Sequence, residues 1–128
     1  MSKKPIALNI EQGATYTGSI VWTDSNRVPR NLTGYSARMQ IRKDYSANAA
    51  IILELTTENG RLILTPSEGR IDMIIDAEDT ETIPVIRSGN SKPPKSTYVY
   101  DIEVVDPSRH VTRLALGDVN VFAEVTRD

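Results

Sequence analysis

The sequence Tyr-Ser-Ala-Arg-Met-Gln-Ile-Arg, at residues 35–42, alternates apolar and polar side chains without a break. Successive side chains of a β-strand point to opposite faces, so this period of two predicts a strand with one buried face and one wet face. The same alternation recurs at residues 15–22, 98–105 and 119–126. Valine, isoleucine, threonine and tyrosine are common across these runs, as is typical of a half-buried, pleated surface.

Shorter apolar runs extend this pattern along the chain and bring the number of predicted strands to about nine. They lie at residues 6–10, 51–55, 62–65, 71–75 and 111–116. Turn residues separate the runs, among them Asn59-Gly60 as a hairpin signal, Pro66–Gly69 and Asp106–Ser108. Short alternating strands at regular spacing predict an all-β fold, namely an antiparallel β-sandwich of immunoglobulin-like or jelly-roll-like type.

Three segments depart from the strand pattern. Residues 76–83 combine an Asp76 N-cap with acidic residues in the first turn before Pro84, which predicts one or two helical turns crossing between sheets. Residues 86–96 are the longest polar, Pro/Gly-rich stretch and predict a long mobile loop. For residues 1–12 two interpretations stay open, an extended arm that adds to a neighbour's sheet and an ordinary first strand of the chain's own sheet.

Length and composition bound the class of protein. The chain has 128 residues, so residues 1–128 are expected to form a single domain. The absence of cysteine and the single histidine exclude disulfides, thiolate sites, a cysteine nucleophile and two-histidine metal sites. No run approaches the roughly 18 apolar residues of a membrane span, and the first residues lack the apolar stretch of a signal peptide. A pI near 5.4 with scattered basic residues argues against nucleic acid as a partner.

Charge is distributed unevenly along the sequence. Residues 1–43 carry seven basic and two acidic residues (net +5), and residues 44–86 carry two basic and nine acidic residues (net −7). Residues 87–128 carry six of each. This polarity favours head-to-tail contacts between copies if it survives folding, whereas a sheet that interleaves the segments would cancel it.

The residues that could in principle bind a metal ion or act in catalysis have simpler structural explanations. The acidic cluster lacks the spacing of a calcium loop and is expected to cap a helix and face solvent; its members are Asp72, Asp76, Glu78, Asp79 and Glu81. His110, Ser108 and Asp106 share one turn, which prevents the convergent geometry of a catalytic triad. The sequence therefore predicts no catalytic, cofactor-binding or metal-binding residues, and a protein that is not an enzyme.

The aromatic residues are expected to serve as core anchors more than as ligand-stacking groups. Those assigned to inward faces are Trp22, Tyr16, Tyr35, Tyr98 and Tyr100. Tyr45 and Phe122 fall at outward or loop positions, and two rings make a poor platform for a sugar. A carbohydrate- or receptor-binding β-sandwich therefore stays as an alternative without a strong aromatic signal.

Residues 8–43 and the later stretches 97–106 and 111–127 resemble the opening and ending of small virion proteins of tailed bacteriophages. The combination that separates this resemblance from generic β sequence is Leu-Thr-Gly-Tyr at 32–35 with Val-Thr-Arg at 111–113 and again at 125–127. The long 86–96 segment departs from the usual pattern of that group.

The resemblance implies a structural component of the tail, baseplate or neck, similar to the amino-terminal module of baseplate upper proteins. Such proteins carry no catalytic residues and have immunoglobulin-like or jelly-roll-like folds. The implied partners are other virion proteins and copies of the chain itself in a symmetric assembly, with neither nucleic acid nor membrane. The implied location is the virion, after synthesis in the host cytoplasm. The alternatives are a capsid decoration protein, a carbohydrate- or receptor-binding module and a cell-wall hydrolase.

Overall fold

The computed structural model describes residues 5–86 and 94–126, and within them eight strands form two sheets. The strands are β1 (Leu8–Glu11), β2 (Tyr16–Val21), β3 (Ser36–Arg42), β4 (Ile51–Thr56), β5 (Leu62–Thr65), β6 (Arg70–Ile75), β7 (Lys95–Val105) and β8 (Val111–Phe122). One short helix, α1 (Ala77–Glu81), follows β6, and a 3₁₀ turn at Pro66–Glu68 joins β5 to β6. The prediction of an all-β fold is confirmed.

The larger sheet has the strand order β1-β8-β7-β3-β4 and curls into a half-barrel. Its pairs are antiparallel except at one edge, where β1 runs parallel to β8 with Leu8 opposite Val119. The expectation of purely antiparallel pairing is wrong at this edge, because β1 continues into the other sheet instead of turning back on itself. Residues 8–11 thus form a strand within the chain's own sheet, and residues 1–4 lie outside the described residues.

The smaller sheet is antiparallel, with the order β2-β6-β5. Inward-facing side chains of both sheets share one core, to which Ile83 beyond α1 also contributes. The predicted inward faces are confirmed on β3 and β7, where the alternate apolar residues from Ala37 to Ile41 and from Tyr98 to Val104 are buried. Val125 is the exception: the predicted last strand ends at Phe122, and Val125 is 90% exposed.

The predicted count of about nine strands is too high because runs 111–116 and 119–126 belong to one strand, β8. β8 pairs with β7 along its full length, with one irregularity opposite Ile102 and Glu103. Gly117 lies within β8, between the two predicted runs. The backbone of Ile6 lies directly against it, and the Ile6 N–H donates to the Leu116 carbonyl oxygen at 2.8 Å.

The connections confirm some predicted turns and correct one. The turns at Pro66–Gly69 and Asp106–Ser108 join paired strands as predicted. Asn59-Gly60 does not close a hairpin, because β4 pairs with β3 in the larger sheet and β5 pairs with β6 in the smaller one. The predicted helical turn is confirmed as α1, with Asp76 at its N-cap. In the predicted 86–96 loop, residues 95 and 96 belong to β7, and residues 87–93 lie outside the described residues.

Candidate protein interfaces

Two members of the predicted acidic cluster, Asp72 and Asp79, take part in separate contacts. Asp72 on β6 accepts a hydrogen bond from the Ser19 hydroxyl, and its other oxygen lies 3.4 Å from Nε of Arg70. Asp79 on α1 pairs with Arg61 at 2.9 Å. Within residues 5–86 and 94–126, no three acidic or histidine side chains form a group suited to a metal ion.

The turn that carries His110 is organised by the Asp106 carboxylate. Its Oδ1 accepts hydrogen bonds from the Ser108 hydroxyl and from the backbone N–H groups of Ser108 and His110, each at 2.8 Å. These bonds, led by the one from the His110 backbone, hold the pKa of the Asp106 carboxyl below its usual value. The carboxylate thus holds the backbone of the turn.

A second turn, at residues 24–28, repeats this construction. Oδ1 of Asp24 accepts the backbone N–H groups of Asn26 and Val28 at 2.8 and 3.0 Å. In each turn the fourth residue is an arginine in the left-handed region, Arg27 at φ 63° and Arg109 at φ 69°. Across the described part of the chain, these are the non-glycine residues with positive φ. The sequence shows the repeat as Asp-Ser-Asn-Arg and Asp-Pro-Ser-Arg, a signal that the sequence reasoning missed.

Residues that flank the first turn extend towards the second turn. The Arg30 guanidinium lies 4.8 Å from the centre of the Trp22 ring, and the Trp22 and Tyr35 rings meet edge to face at 6.2 Å. Tyr35 follows Gly34, where an added Cβ would lie 2.9 Å from Cγ of Pro107 in the second turn. We call this region the paired-turn surface, and it comprises Trp22, Arg27, Val28, Arg30, Tyr35, Pro107 and Arg109.

The burial of the aromatic residues follows the prediction only in part. Tyr98 and Tyr100 are buried in the core, as predicted. Burial raises the pKa of Tyr100 to about 12, and its hydroxyl donates to the Ile6 carbonyl at 2.8 Å. Trp22 and Tyr35 pack against the core but stay partly accessible, so each also contributes to the paired-turn surface. Tyr45 is 70% exposed, whereas Phe122 is half-buried.

The outer face of the larger sheet carries a second polar surface, which we call the ladder face. Its cross-strand partners are Arg38 with Glu103 at 2.9 Å, Gln40 with Glu54 at 2.9 Å and Arg113 with Asp101 at 3.4 Å. The alternation in the sequence placed the β3 and β7 members on the wet face but did not show that they pair. Two of these pairs, Arg38 with Glu103 and Gln40 with Glu54, join residues from segments of different net charge.

A groove of about 480 Å³ runs between the ladder face and the loop that joins β3 to β4. Arg42 fixes this loop, because its Nη1 donates to the Ala49 carbonyl at 2.8 Å, and Tyr45 forms part of the rim. Burial in the groove, aided by the charge of Glu103, raises the pKa of Asp101, although Arg113 acts in the opposite direction. The groove is lined by both positively and negatively charged side chains, which suits the binding of a polar protein segment.

An acidic surface lies on α1, at the far end of the smaller sheet from the paired-turn surface. Ile75, the last residue of β6, pairs with Tyr16, the first residue of β2, whereas the first Asp-Arg turn follows the last residue of β2. A strand of this length spans about 20 Å. The exposed acids here define the α1 face: Asp76, Glu78 and Glu81. Thr80 anchors the helix, since its hydroxyl accepts the Gly13 N–H at 3.0 Å and donates to the Ala14 carbonyl at 2.9 Å.

The comparisons with known proteins add no relative. In the described segments, no helix has the length and apolar character needed to cross a membrane. No protein-family model matches the chain, and a search of curated proteins found no match to it.

Proposed function

We propose that this protein is a non-enzymatic structural component of a tailed-phage virion, located in the tail, baseplate or neck, that acts through repeated protein–protein contacts. Its partners are other virion proteins and copies of itself, and it is made in the host cytoplasm before assembly. The proposal starts from the resemblance of residues 8–43, 97–106 and 111–127 to such proteins.

The observation that carries the proposal is the position of residues 32–35, the most specific part of the resemblance. Leu32 is fully buried, and its N–H donates to the carbonyl of Pro66, next to the smaller sheet, at 3.1 Å. Tyr35 leads directly into β3 of the larger sheet and packs against Trp22, which follows β2 of the smaller one. Gly34 has a φ of 81° and supports Pro107, so a side chain there would be strained and crowded. The resembling residues thus form a junction between the sheets, as expected where a resemblance reflects shared architecture.

We further propose that the two sheets pack as a β-sandwich of immunoglobulin-like or jelly-roll-like type. The single hydrophobic core shared by both sheets supports this proposal. The curl of the larger sheet and the parallel β1–β8 edge distinguish it from a regular antiparallel sandwich.

The two polar surfaces suit a protein that works by binding other proteins. The paired-turn surface combines Trp22, Tyr35 and three arginines, the residue types most enriched at protein interfaces. The charged side chains of the ladder face are held by one another at fixed cross-strand positions, which gives a partner a preorganised set of donors and acceptors.

The proposal is tested by mass spectrometry of purified virions from the phage that encodes this chain. We expect the protein in intact particles, in a small symmetric copy number typical of tail or baseplate rings. Hundreds of copies per particle would identify a capsid decoration protein instead. Absence from particles in which other small virion proteins are detected would contradict the proposal.

A further inference from the structure

We propose that the paired-turn surface binds the α1 face of a second copy of this chain, so that copies join head to tail. This inference rests on the proposed function only for its setting in a virion, because the contact itself is a property of the isolated chain. Its occupant is defined by chemistry: a solvent-exposed face that carries the carboxylates of Asp76, Glu78 and Glu81.

Arg27 and Arg109 both adopt the left-handed backbone conformation. A bulky residue in the left-handed region costs about 1–2 kcal/mol relative to the ordinary conformation, and glycine avoids this cost. Both turns nevertheless carry arginine at this position. Backbone strain that recurs at equivalent positions indicates that the side chain is needed for a purpose other than stability.

The arginines of the paired-turn surface differ from the others in whether they form ion pairs. Among the described residues, Arg27, Arg30 and Arg109 make none of the ion pairs, whereas Arg38, Arg61, Arg70 and Arg113 each lie within 4 Å of a carboxylate. Asp24 and Asp106 lie in the same turns, where Oδ1 of each carboxylate accepts backbone N–H groups. The paired-turn surface therefore presents three guanidinium groups that have no ion-pair partner among the described residues, and together with Asp24 and Asp106 its formal net charge is +1 (3 − 2).

The paired-turn surface also carries apolar and aromatic side chains that are accessible to solvent. Val28 in the first turn is 54% exposed, Pro107 in the second turn is also exposed, and Trp22 and Tyr35 are partly accessible. A partly buried aromatic pair with an arginine against one ring, here Arg30 against Trp22, is typical of the energetically dominant centre of a protein interface. The apolar centre also distinguishes this surface from a simple solvated patch of charge.

The α1 face of a second copy is complementary in charge to the paired-turn surface. The α1 face carries Asp76, Glu78 and Glu81, none of which joins the ion pairs of the described residues. The two surfaces are complementary in charge and lie at opposite ends of β2. A contact between unlike surfaces is heterologous, and repetition of it generates a ring or a stack. The acidic α1 face and the net charge of −2 disfavour a polyanion such as nucleic acid as the occupant.

The test measures self-association of the full chain by sedimentation at increasing concentration and at low and high salt. We expect a concentration-dependent assembly that weakens as salt rises, because exposed charges are screened. The double variant Arg27→Gly/Arg109→Gly should weaken association by about tenfold or more and stay folded, since glycine relieves the left-handed backbone. A wild-type chain that stays monomeric, or a double variant that associates normally, would overturn the proposal.

A charge exchange identifies the occupant. The variants Arg27→Glu/Arg109→Glu and Glu78→Lys/Glu81→Lys should each fail to associate alone, and their mixture should associate again. Asp118→Lys changes an exposed charge on β8 and serves as the matched control that should associate normally. Failure of the mixture to associate, with both variants folded, would assign the paired-turn surface to a different partner. None of these outcomes depends on detection of the protein in virions, so the two proposals fail separately.

Discussion

Arginines occupy two different situations in this molecule, on the ladder face and on the paired-turn surface. On the ladder face, Arg38 and Arg113 lie on regular strands and face carboxylates of the neighbouring strand β7. On the paired-turn surface, Arg27 and Arg109 lie in left-handed turns and make no ion pair among the described residues. The same residue type thus belongs to the fold in one region and is available to a partner in the other.

The difference shows what an arginine contributes in each place. A half-exposed ion pair across a sheet is worth up to about 1 kcal/mol and contributes modestly to stability. An arginine in the left-handed region costs about 1–2 kcal/mol of backbone strain, and in the proposed contact its guanidinium binds a partner. Substitution at the two sites should therefore change stability in opposite directions.

The largest effect is expected from a substitution in the hydrophobic core, which supports both regions. Ile102 is completely buried on β7, and its neighbour Glu103 lies on the ladder face. Ile102→Asp should unfold the domain, because an unpaired buried carboxylate costs several kcal/mol. Glu103→Ala removes one half-exposed ion pair and should lower the free energy of unfolding by about 1 kcal/mol or less. Equal effects in urea denaturation would show that the two faces of β7 are assigned wrongly.

The next prediction contrasts glycine substitutions in the two regions. Arg38→Gly should lower the free energy of unfolding by about 1–2 kcal/mol, since glycine weakens a strand interior and the ion pair with Glu103 is lost. Arg109→Gly should raise it by about 0.5–1 kcal/mol, because relief of the left-handed strain exceeds the entropy that glycine adds to the unfolded chain. Urea denaturation of both variants in one buffer measures the difference, and a loss of stability in Arg109→Gly would contradict the account.

A smaller effect is expected from the carboxylate that organises the second turn. The pKa of Asp106 is lowered in the folded state, so its contribution to stability is fully present above the usual value and is lost as the pH falls through the lowered pKa. Asp106→Ala should therefore be less stable than the wild type at pH 7, and the two should converge at acidic pH. Thermal unfolding across this pH range checks the prediction, and a difference that grows on acidification would contradict it.

The smallest effect concerns Asp101 in the groove beside the ladder face. Its pKa is raised in the folded state, chiefly by burial, so the folded protein favours the protonated carboxyl over the ionised form. Asp101→Asn should therefore leave the protein at least as stable as the wild type at pH 7, and the gain should vanish below the usual carboxyl pKa. A clear loss of stability at pH 7 would show that the ion pair with Arg113 outweighs the effect of burial.

Much of the fold is predictable from local patterns in the sequence. The alternation at residues 35–42 and 98–105 identified which side chains face the core, and the Asp76–Pro84 stretch identified α1, because periodicity and capping are local properties. The parallel placement of β1 beside β8 was not predictable, since no local signal specifies the neighbour of a strand. Asn59-Gly60 resembles a hairpin turn in sequence, but whether the two strands pair depends on the packing of the whole chain.

The candidate site was less predictable than the fold. The alternation placed Arg38 and Glu103 on a wet face, yet their pairing depends on the register between strands 65 residues apart in the chain. The repeated Asp-Arg turns were visible in the sequence, but that Trp22 and Tyr35 extend from the first turn towards Pro107 in the second follows from the three-dimensional arrangement. The net charges of the three sequence segments showed that charge is distributed unevenly, but not which charged side chains form no ion pair among the described residues.

Hydrogen–deuterium exchange of the wild-type chain below and above its association concentration tests the central claim most directly. We expect association to slow exchange in three segments, residues 23–30, 106–110 and 76–83, and to leave exchange in β3 unchanged. Protection centred on the exposed edge strand β4 would instead show that copies join by extending a sheet. That result, or protection of the ladder face alone, would contradict the assignment of the unpaired arginines to a partner.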